Sequence, residues 1–243
     1  MYTYVMKAVI LAGGKGKRLR PLTNKVPKPM IIVGGKPILL HIIELLKKNG
    51  ISEYILALCY LPNAIIDFFG DGAKYRVNIK YTFEDPNNPM GTAGAILASE
   101  NFIDETFIVT YGDILRDLDV VDMVSFHNKN KSFATLNVYK RESKGAKSKI
   151  LIEDKKRITQ FIERPTDSNL KDNYVWVNGS FYILEPEIFE YIPKKQQSDF
   201  GRDVFPLSLS KGKRLFAYPS NNYFLDIGDI KKLGLAKKKF NKV

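Results

Sequence analysis

Apolar runs and amphipathic stretches alternate along the first 140 residues of the chain. Val9, Ile10, Leu11 and Ala12 form an unbroken apolar run, as expected of a strand buried on both faces. Pro37 can open a helix whose apolar positions Ile38, Leu39, Ile42, Ile43, Leu45 and Leu46 precede the stop signal Asn49-Gly50. Strands at 54–59 and 78–83 then flank a helix at 63–69. A helix at 92–99, a strand at 106–110, a helix at 120–128 and a strand at 133–139 continue the alternation. This order predicts an α/β fold with an open, mostly parallel sheet covered on both faces, whose ligands bind beyond the carboxyl ends of the strands. From Lys149 onward, strands near 149–153, 157–162 and 174–184 follow with little helix between them, which predicts a smaller β-rich part.

The loop after the first strand changes the picture most. Leu11, Ala12, Gly13, Gly14, Lys15 and Gly16 lead into a segment that carries Lys15, Lys17, Arg18, Arg20, Lys25 and Lys28, with no acidic residue between positions 7 and 30. Glycines allow close backbone approach, free N–H groups can face an anion, and Arg and Lys add charge-assisted hydrogen bonds. Pro21, Pro27 and Pro29 stiffen the segment. The dinucleotide fingerprint is excluded, because the position of its third glycine is Leu19. The P-loop is excluded because no Gly-Lys-Ser/Thr follows at the required spacing. A different polyphosphate-binding device is expected.

Two carboxylates also stand out. Asp113 follows the apolar run 107–111 and Gly112, and Asp226 precedes Ile227-Gly228. Each could be an ordinary turn residue. Together they could hold one Mg²⁺, which leaves octahedral positions for water and phosphate oxygens. The histidines, His41 and His127, fall within predicted helices and read as ordinary helix residues.

Composition bounds these readings. The chain has 243 residues, 44% of them hydrophobic, and no Gly/Ser/Pro-rich linker. One domain over 1–243 is expected, with a core at about 1–140 that carries the basic loop and a second part at about 141–243. The single Cys59 excludes a disulfide framework and reads as a buried thiol. No signal-type pattern opens the chain, and no apolar run of about 18 residues could cross a bilayer, so a cytoplasmic protein without a membrane partner is expected. The net charge of +12 raises nucleic-acid binding as a rival function. Outside the opening loop, however, the cations are scattered in small groups, with no zinc spacing or RNA-binding aromatic signature, so no nucleic-acid partner is expected.

The segment A-G-G-K-G-K-R-L-R-P-L-T followed by P-K-P-M resembles the signature of the sugar-1-phosphate nucleotidylyltransferases. That resemblance implies a three-layer Rossmann-like α/β/α sandwich with a mostly parallel mixed central sheet and a small β-rich sugar-binding insertion. It implies Mg²⁺ as cofactor, and a nucleoside triphosphate and a sugar 1-phosphate as partners. Arg18 is then expected on the triphosphate, Lys28 at the reacting phosphates, and Asp113 and Asp226 on the metal. Residues Leu11 to Gly16 and Gly112 would face the nucleotide, with Glu84, Gly91 and Thr92 at the base. Thr92 could also cap the helix that it opens. Glu163, Arg164 and Asn178 would join Lys28 at the sugar phosphate. The form with Glu84 upstream of P-M-G-T-A-G is most similar to guanylyltransferases for mannose or heptose 1-phosphate. UTP or dTTP with glucose 1-phosphate, and a non-catalytic regulatory subunit, remain alternatives, as does assembly into a homo-oligomer. The chain departs from the family pattern at Arg164, where lysine is usual, at Ser180, where glycine is usual, and at Ser148-Lys149, where an aromatic-glycine pair is expected.

Overall fold

A computed structural model describes residues 6–166, 170 and 172–240; the first five residues, where no signal-type pattern was read, lie outside the described residues. The chain forms two compact units that interleave in sequence. The first comprises Met1–Pro89, Thr110–Leu118 and Asn222–Val243, and the second Met90–Val109 and Asp119–Asn221.

In the first unit, strands β1 (Lys7–Leu11), β4 (Glu53–Leu58) and β5 (Asn78–Phe83) pair in parallel, with Ile10 opposite Leu56 and Leu56 opposite Tyr81. The interior residues of β1 and nearly all of β4 are buried, as parallel strands covered by helices require. A short hairpin of β2 (Ile32–Val33) and β3 (Lys36–Pro37) leads into helix α1 (Ile38–Lys48), which buries Ile38, Leu39, Leu40, Ile42, Ile43 and Leu46. The helix ends as the sequence suggests, with Asn49 at its C-cap and Gly50 at φ 85°. Helix α2 (Asn63–Phe69) joins β4 to β5.

In the second unit, helix α3 (Gly91–Gly94) lies in the segment that leads to β6 (Phe107–Tyr111), and β6 runs on into the first unit, where β7 (Ile114–Arg116) follows it. Helix α4 (Val120–Asn130) is capped by the Asp119 side chain, which accepts from the amide of Asp122. Strand β8 (Ala134–Glu142) is antiparallel to β11 (Tyr174–Leu184), and β9 (Ser148–Ile152) is antiparallel to both β10 (Ile158–Glu163) and β11. After helix α5 (Phe205–Ser210), strand β12 (Leu215–Pro219) adds to β8 in parallel. The last elements, β13 (Phe224–Asp226) and helix α6 (Ile230–Phe240), return to the first unit. The fold is thus the expected α/β class, with parallel pairing in the first unit and mainly antiparallel pairing in the second.

The helix expected at 92–99 is a single turn, Gly91–Gly94, followed by 3₁₀ turns over Leu97–Phe102. Its first amides bond a distant segment: those of Ala93 and Gly94 donate to the carbonyl of Ser198, and that of Thr92 donates to Asp199 Oδ1. Thr92 is therefore not the cap. Asp199 is, and it also accepts from the Thr92 hydroxyl, which in turn accepts from the amide of Phe200.

His127 is more than an ordinary helix residue. It is buried, with Nδ1 bonded to Thr135 Oγ1 and Nε2 bonded to Glu185 Oε1, each at 2.9 Å. Thr106 Oγ1 donates to the same carboxylate oxygen at 2.8 Å. The bond from His127 is the main force holding the Glu185 carboxyl below its ordinary value of 4.5; burial opposes it and Thr106 assists it. A carboxyl lowered on folding adds stability above its unfolded value, and that stability is lost as pH falls through the folded value. Unfolding by denaturant at a series of pH values should show this loss below about pH 4.5, and Glu185→Gln should flatten that part of the profile. Parallel profiles for the two proteins would contradict the assignment.

Candidate active site

The carboxyl end of β1 opens into the basic loop. The amide of Ala12 donates to Ala57 and that of Leu19 to Gly16. Between them, among the described residues, the amides of Gly13, Gly14, Lys15 and Gly16 donate to no protein group. Such a run of unspent donors can face phosphate oxygens. Packing explains two of the glycines. A methyl at Gly13 would sit 2.7 Å from Cys59 Cβ, and one at Gly16, where φ is 58°, would sit 2.9 Å from Thr23 Cγ2. Thr23 Oγ1 donates to the Gly16 carbonyl, and the Tyr60 hydroxyl donates to the Thr23 carbonyl, so the loop is held at both sides. Cys59 is buried as expected, and burial, with Glu84 second, pushes its thiol up against the pull of Lys15.

The cations of this loop have separate places. Lys15 Nζ donates to the carbonyl of Pro86 at 3.0 Å, on the loop that follows Glu84. Arg18 is exposed and lies against Gly228, where a methyl would stand 3.0 Å from its Nη2. Lys28 is buried; its Nζ bonds Asp113 Oδ2 and lies 3.8 Å from Asp226 Oδ1.

Asp113 and Asp226 meet through backbone pairing. Strand β13 is antiparallel to β7, with Asp226 opposite Ile114, and the amide of Ile227 donates to the carbonyl of Asp113. Gly112 makes the preceding turn possible: its amide donates to Leu11, and a methyl there would crowd the Leu11 carbonyl at 3.1 Å. Lys232 Nζ approaches Asp226 from the other side, 3.7 Å from Oδ2. Little distinguishes Lys232 from its neighbours in the lysine-rich last helix. The only local signal is Asp229, whose side chain accepts from the Lys232 amide and marks the start of α6. Among the described residues no three His, Cys, Asp or Glu side chains gather into a metal cage. Two convergent carboxylates nevertheless fit Mg²⁺, which is commonly held by one or two carboxylates with water and substrate phosphates completing the shell.

The remaining predicted residues divide between the units. Glu84 is half-buried in the first, and its amide closes the β5 ladder onto Leu58. Gly91 and Thr92 belong to the second, where Gly91 has φ 80° and a methyl would overlap the Ser198 carbonyl at 2.4 Å. Glu163, Arg164 and Asn178 also lie in the second unit. Burial raises the Glu163 carboxyl above its ordinary value. Arg164, Lys147 and Arg202 oppose this, while Asp199 adds to it. Gly201 leaves room for the Glu163 carboxylate, since a methyl there would stand 2.6 Å from Oε2. Arg164 adopts φ 50°, and its amide donates to Lys147.

Asn178 sits at a bulge where the pairing of β11 with β8 shifts between Asn178 and Tyr182. Its Nδ2 donates to the Tyr182 hydroxyl at 2.7 Å, and its Oδ1 accepts from the amide of Ser180 at 2.9 Å. Its own amide donates to the buried Ser148 Oγ, which gives that departure from the family pattern a structural role. Ser180 has φ 54°, the left-handed region where glycine is usual, and the Asn178 bond supports it there. Gly179 is needed for space: a methyl would lie 2.7 Å from the Asn137 carbonyl. Ser180→Gly should therefore stabilise the protein by about 0.5–1 kcal/mol. Gly179→Ala should destabilise it by about 2 kcal/mol. Urea unfolding of both variants measures the two effects, and the reverse order would refute this account of the bulge.

Residues 7–242 match the family described as nucleotidyl transferase. The chain is 33% identical over 237 residues to a UTP–glucose-1-phosphate uridylyltransferase of Synechocystis sp., covering 93% of this chain and 61% of that protein. It is 31% identical over 230 residues to a mannose-1-phosphate guanylyltransferase of Mycobacterium tuberculosis, covering 94% of this chain and 62% of that protein. The chain thus spans about three fifths of the length of these two relatives. The crystal structure of HddC from Yersinia pseudotuberculosis complexed with GMP-PN is similar with a TM-score of 0.79 and 28% identity, covering 97% of this chain and 99% of that one.

Proposed function

The chain belongs to the nucleotidyl transferase family, and we propose that it transfers a nucleotidyl group from a nucleoside triphosphate to a sugar 1-phosphate, releasing pyrophosphate. The observation that carries this reading is the meeting of Lys28 with Asp113 and Asp226 beside a loop whose four successive amides have no acceptor among the described residues. That arrangement suits a polyanion accompanied by a divalent cation.

The chemistry needs no triad. A sugar-phosphate oxygen is already ionised near neutral pH, so it can attack the α-phosphorus without a general base. The new P–O bond forms as the bond to the β-phosphate oxygen breaks, and the electron pair leaves with pyrophosphate. Alignment and charge neutralisation are the remaining tasks. Asp113 and Asp226 are the residues to hold Mg²⁺, which when bound polarises and aligns phosphate oxygens. The amides of Gly13 to Gly16 and the guanidinium of Arg18 take the β- and γ-phosphates, and Lys28 offsets charge at the α-phosphate and the incoming sugar phosphate.

For the base, Glu84 can accept from guanine N1–H and N2–H₂, and the turn at Gly91 offers backbone. The Thr92 hydroxyl is already engaged with Asp199 and Phe200, so Thr92 contributes through position rather than through that group. For the sugar, Glu163 is the principal acceptor. Asn178 has one amide hydrogen and one lone pair left beyond its bonds to Tyr182 and Ser180. GTP with mannose 1-phosphate is the first substrate pair, supported by the Glu84 and P-M-G-T-A-G pattern, by the guanylyltransferase relative and by the neighbour solved with GMP-PN, a guanine nucleotide. The uridylyltransferase relative makes UTP with glucose 1-phosphate the second.

A screen of nucleoside triphosphates against sugar 1-phosphates, read as pyrophosphate release, should show turnover that depends on a divalent cation and is fastest with GTP. No release with any pair would overturn the reaction itself. Asp113→Asn and Asp226→Asn should each lower kcat by at least about 100-fold, while circular dichroism and thermal melting show a folded chain. Unchanged turnover in either variant would remove that residue from the metal.

A further inference from the structure

Lys28 occupies the point on which the two carboxylates converge. Its ammonium bonds Asp113 Oδ2 and lies 3.8 Å from Asp226 Oδ1, whereas Lys232 approaches the other oxygen, Oδ2, at 3.7 Å. The site is sheltered, with the Lys28, Asp113 and Asp226 side chains 10%, 26% and 21% exposed. Among the described residues, the ammonium groups of Lys28 and Lys232 lie against the two carboxylates. A divalent cation that joined the carboxylates with Lys28 in place would sit beside a like charge in a partly desolvated setting, where repulsion is screened weakly.

Resting on the functional reading above, we propose that Lys28 is a built-in surrogate cation: it holds the carboxylate pair together in the metal-free protein and must leave when a divalent ion arrives. Lys232 is the positioning residue that stays on Asp226 during the exchange. The different oxygens that the two lysines address permit this. Lys28 has a flexible four-carbon stem that can carry its charge to a neighbouring acceptor, and the incoming triphosphate is one. Triphosphate and metal therefore strengthen each other's binding: the phosphates draw Lys28 away from the carboxylates, and the metal frees Lys28 for the phosphates. By linkage, the factor is the same in both directions. The metal alone is a poor ligand, and the site assembles in full only with the nucleotide.

The test is Mn²⁺ binding without nucleotide, followed by electron paramagnetic resonance of the free ion. Lys28→Met should bind Mn²⁺ at least about tenfold more tightly than the native chain, within the usual range of coupling between sites. Lys28→Arg, which keeps the charge, should stay close to native. Adding Asp113→Asn to Lys28→Met should abolish the gain. Equal affinity of native and Lys28→Met, or a gain that survives Asp113→Asn, overturns the proposal. Should Lys28→Met fail to fold, the native protein decides: Mn²⁺, at a concentration that electron paramagnetic resonance shows to be bound, should raise the acetylation rate of Lys28, read by mass spectrometry, and an unchanged rate overturns the proposal. Pyrophosphate release plays no part in these measurements, so an absence of transferase activity would count against the reaction and leave the place of Lys28 to be decided separately.

Discussion

The ion cluster of Lys28, Asp113, Asp226 and Lys232 is the constraint around which the first unit is organised. Bringing two carboxylates together in a sheltered place is unfavourable unless cations meet them. The backbone enforces the encounter: β7 and β13 pair with Asp226 opposite Ile114, which sets the two acids side by side whatever their charges prefer. The lysines then balance them, one from the basic loop and one from the last helix. Gly112 and Gly228 matter for the same reason. The first lets the chain turn closely past Leu11, and the second leaves a flat surface for the Arg18 guanidinium.

The second unit solves a different problem. Gly91–Gly94 is too short a helix to stand alone, and glycine at both ends weakens it further. Its amides are satisfied by the Ser198 carbonyl and the Asp199 carboxylate, more than one hundred residues away in sequence. The same segment carries Gly201, which makes room for Glu163. A stretch that looks like a mere lead-in to the last helices therefore supports both the turn proposed for the base and the carboxylate proposed for the sugar.

This explains what could be read from the sequence and what could not. The limits of Asn63–Phe69, Asn78–Phe83 and Tyr174–Leu184 follow from local hydrophobic patterning and turn residues, and the structure reproduces them. The segment expected as a helix at 92–99 makes one α-turn and then tightens into i→i+3 bonds, Ile96 to Ala93 and Ser99 to Ile96, while its first amides are anchored on Ser198 and Asp199, which no local pattern records. Asp113 and Asp226 were visible as acids exposed by glycine turns, but their meeting depends on a strand pairing across more than one hundred residues. Lys232 was invisible for a plainer reason. In a helix that also holds Lys231, Lys237, Lys238 and Lys239, only the three-dimensional position of one lysine separates it from its neighbours.

The departures from the family pattern are of two kinds, and the distinction bears on substrate choice. At Ser148 and Ser180 the change is absorbed by the scaffold. The hydroxyl of Ser148 receives the Asn178 amide, and the unusual backbone of Ser180 is propped by the Asn178 side chain. Asn178 is thereby committed on three sides, counting its bond to Tyr182, and its side chain keeps one amide hydrogen and one lone pair for a ligand. Glu163 is the opposite case. It is half-buried at a site where Arg164, Lys147 and Arg202 favour its charge while desolvation resists it. A group held between those forces gains most from a ligand hydroxyl that donates to it, because such a bond offsets the desolvation directly. Under the proposed function, discrimination among sugars would therefore fall more on Glu163 and the cations around it than on Asn178.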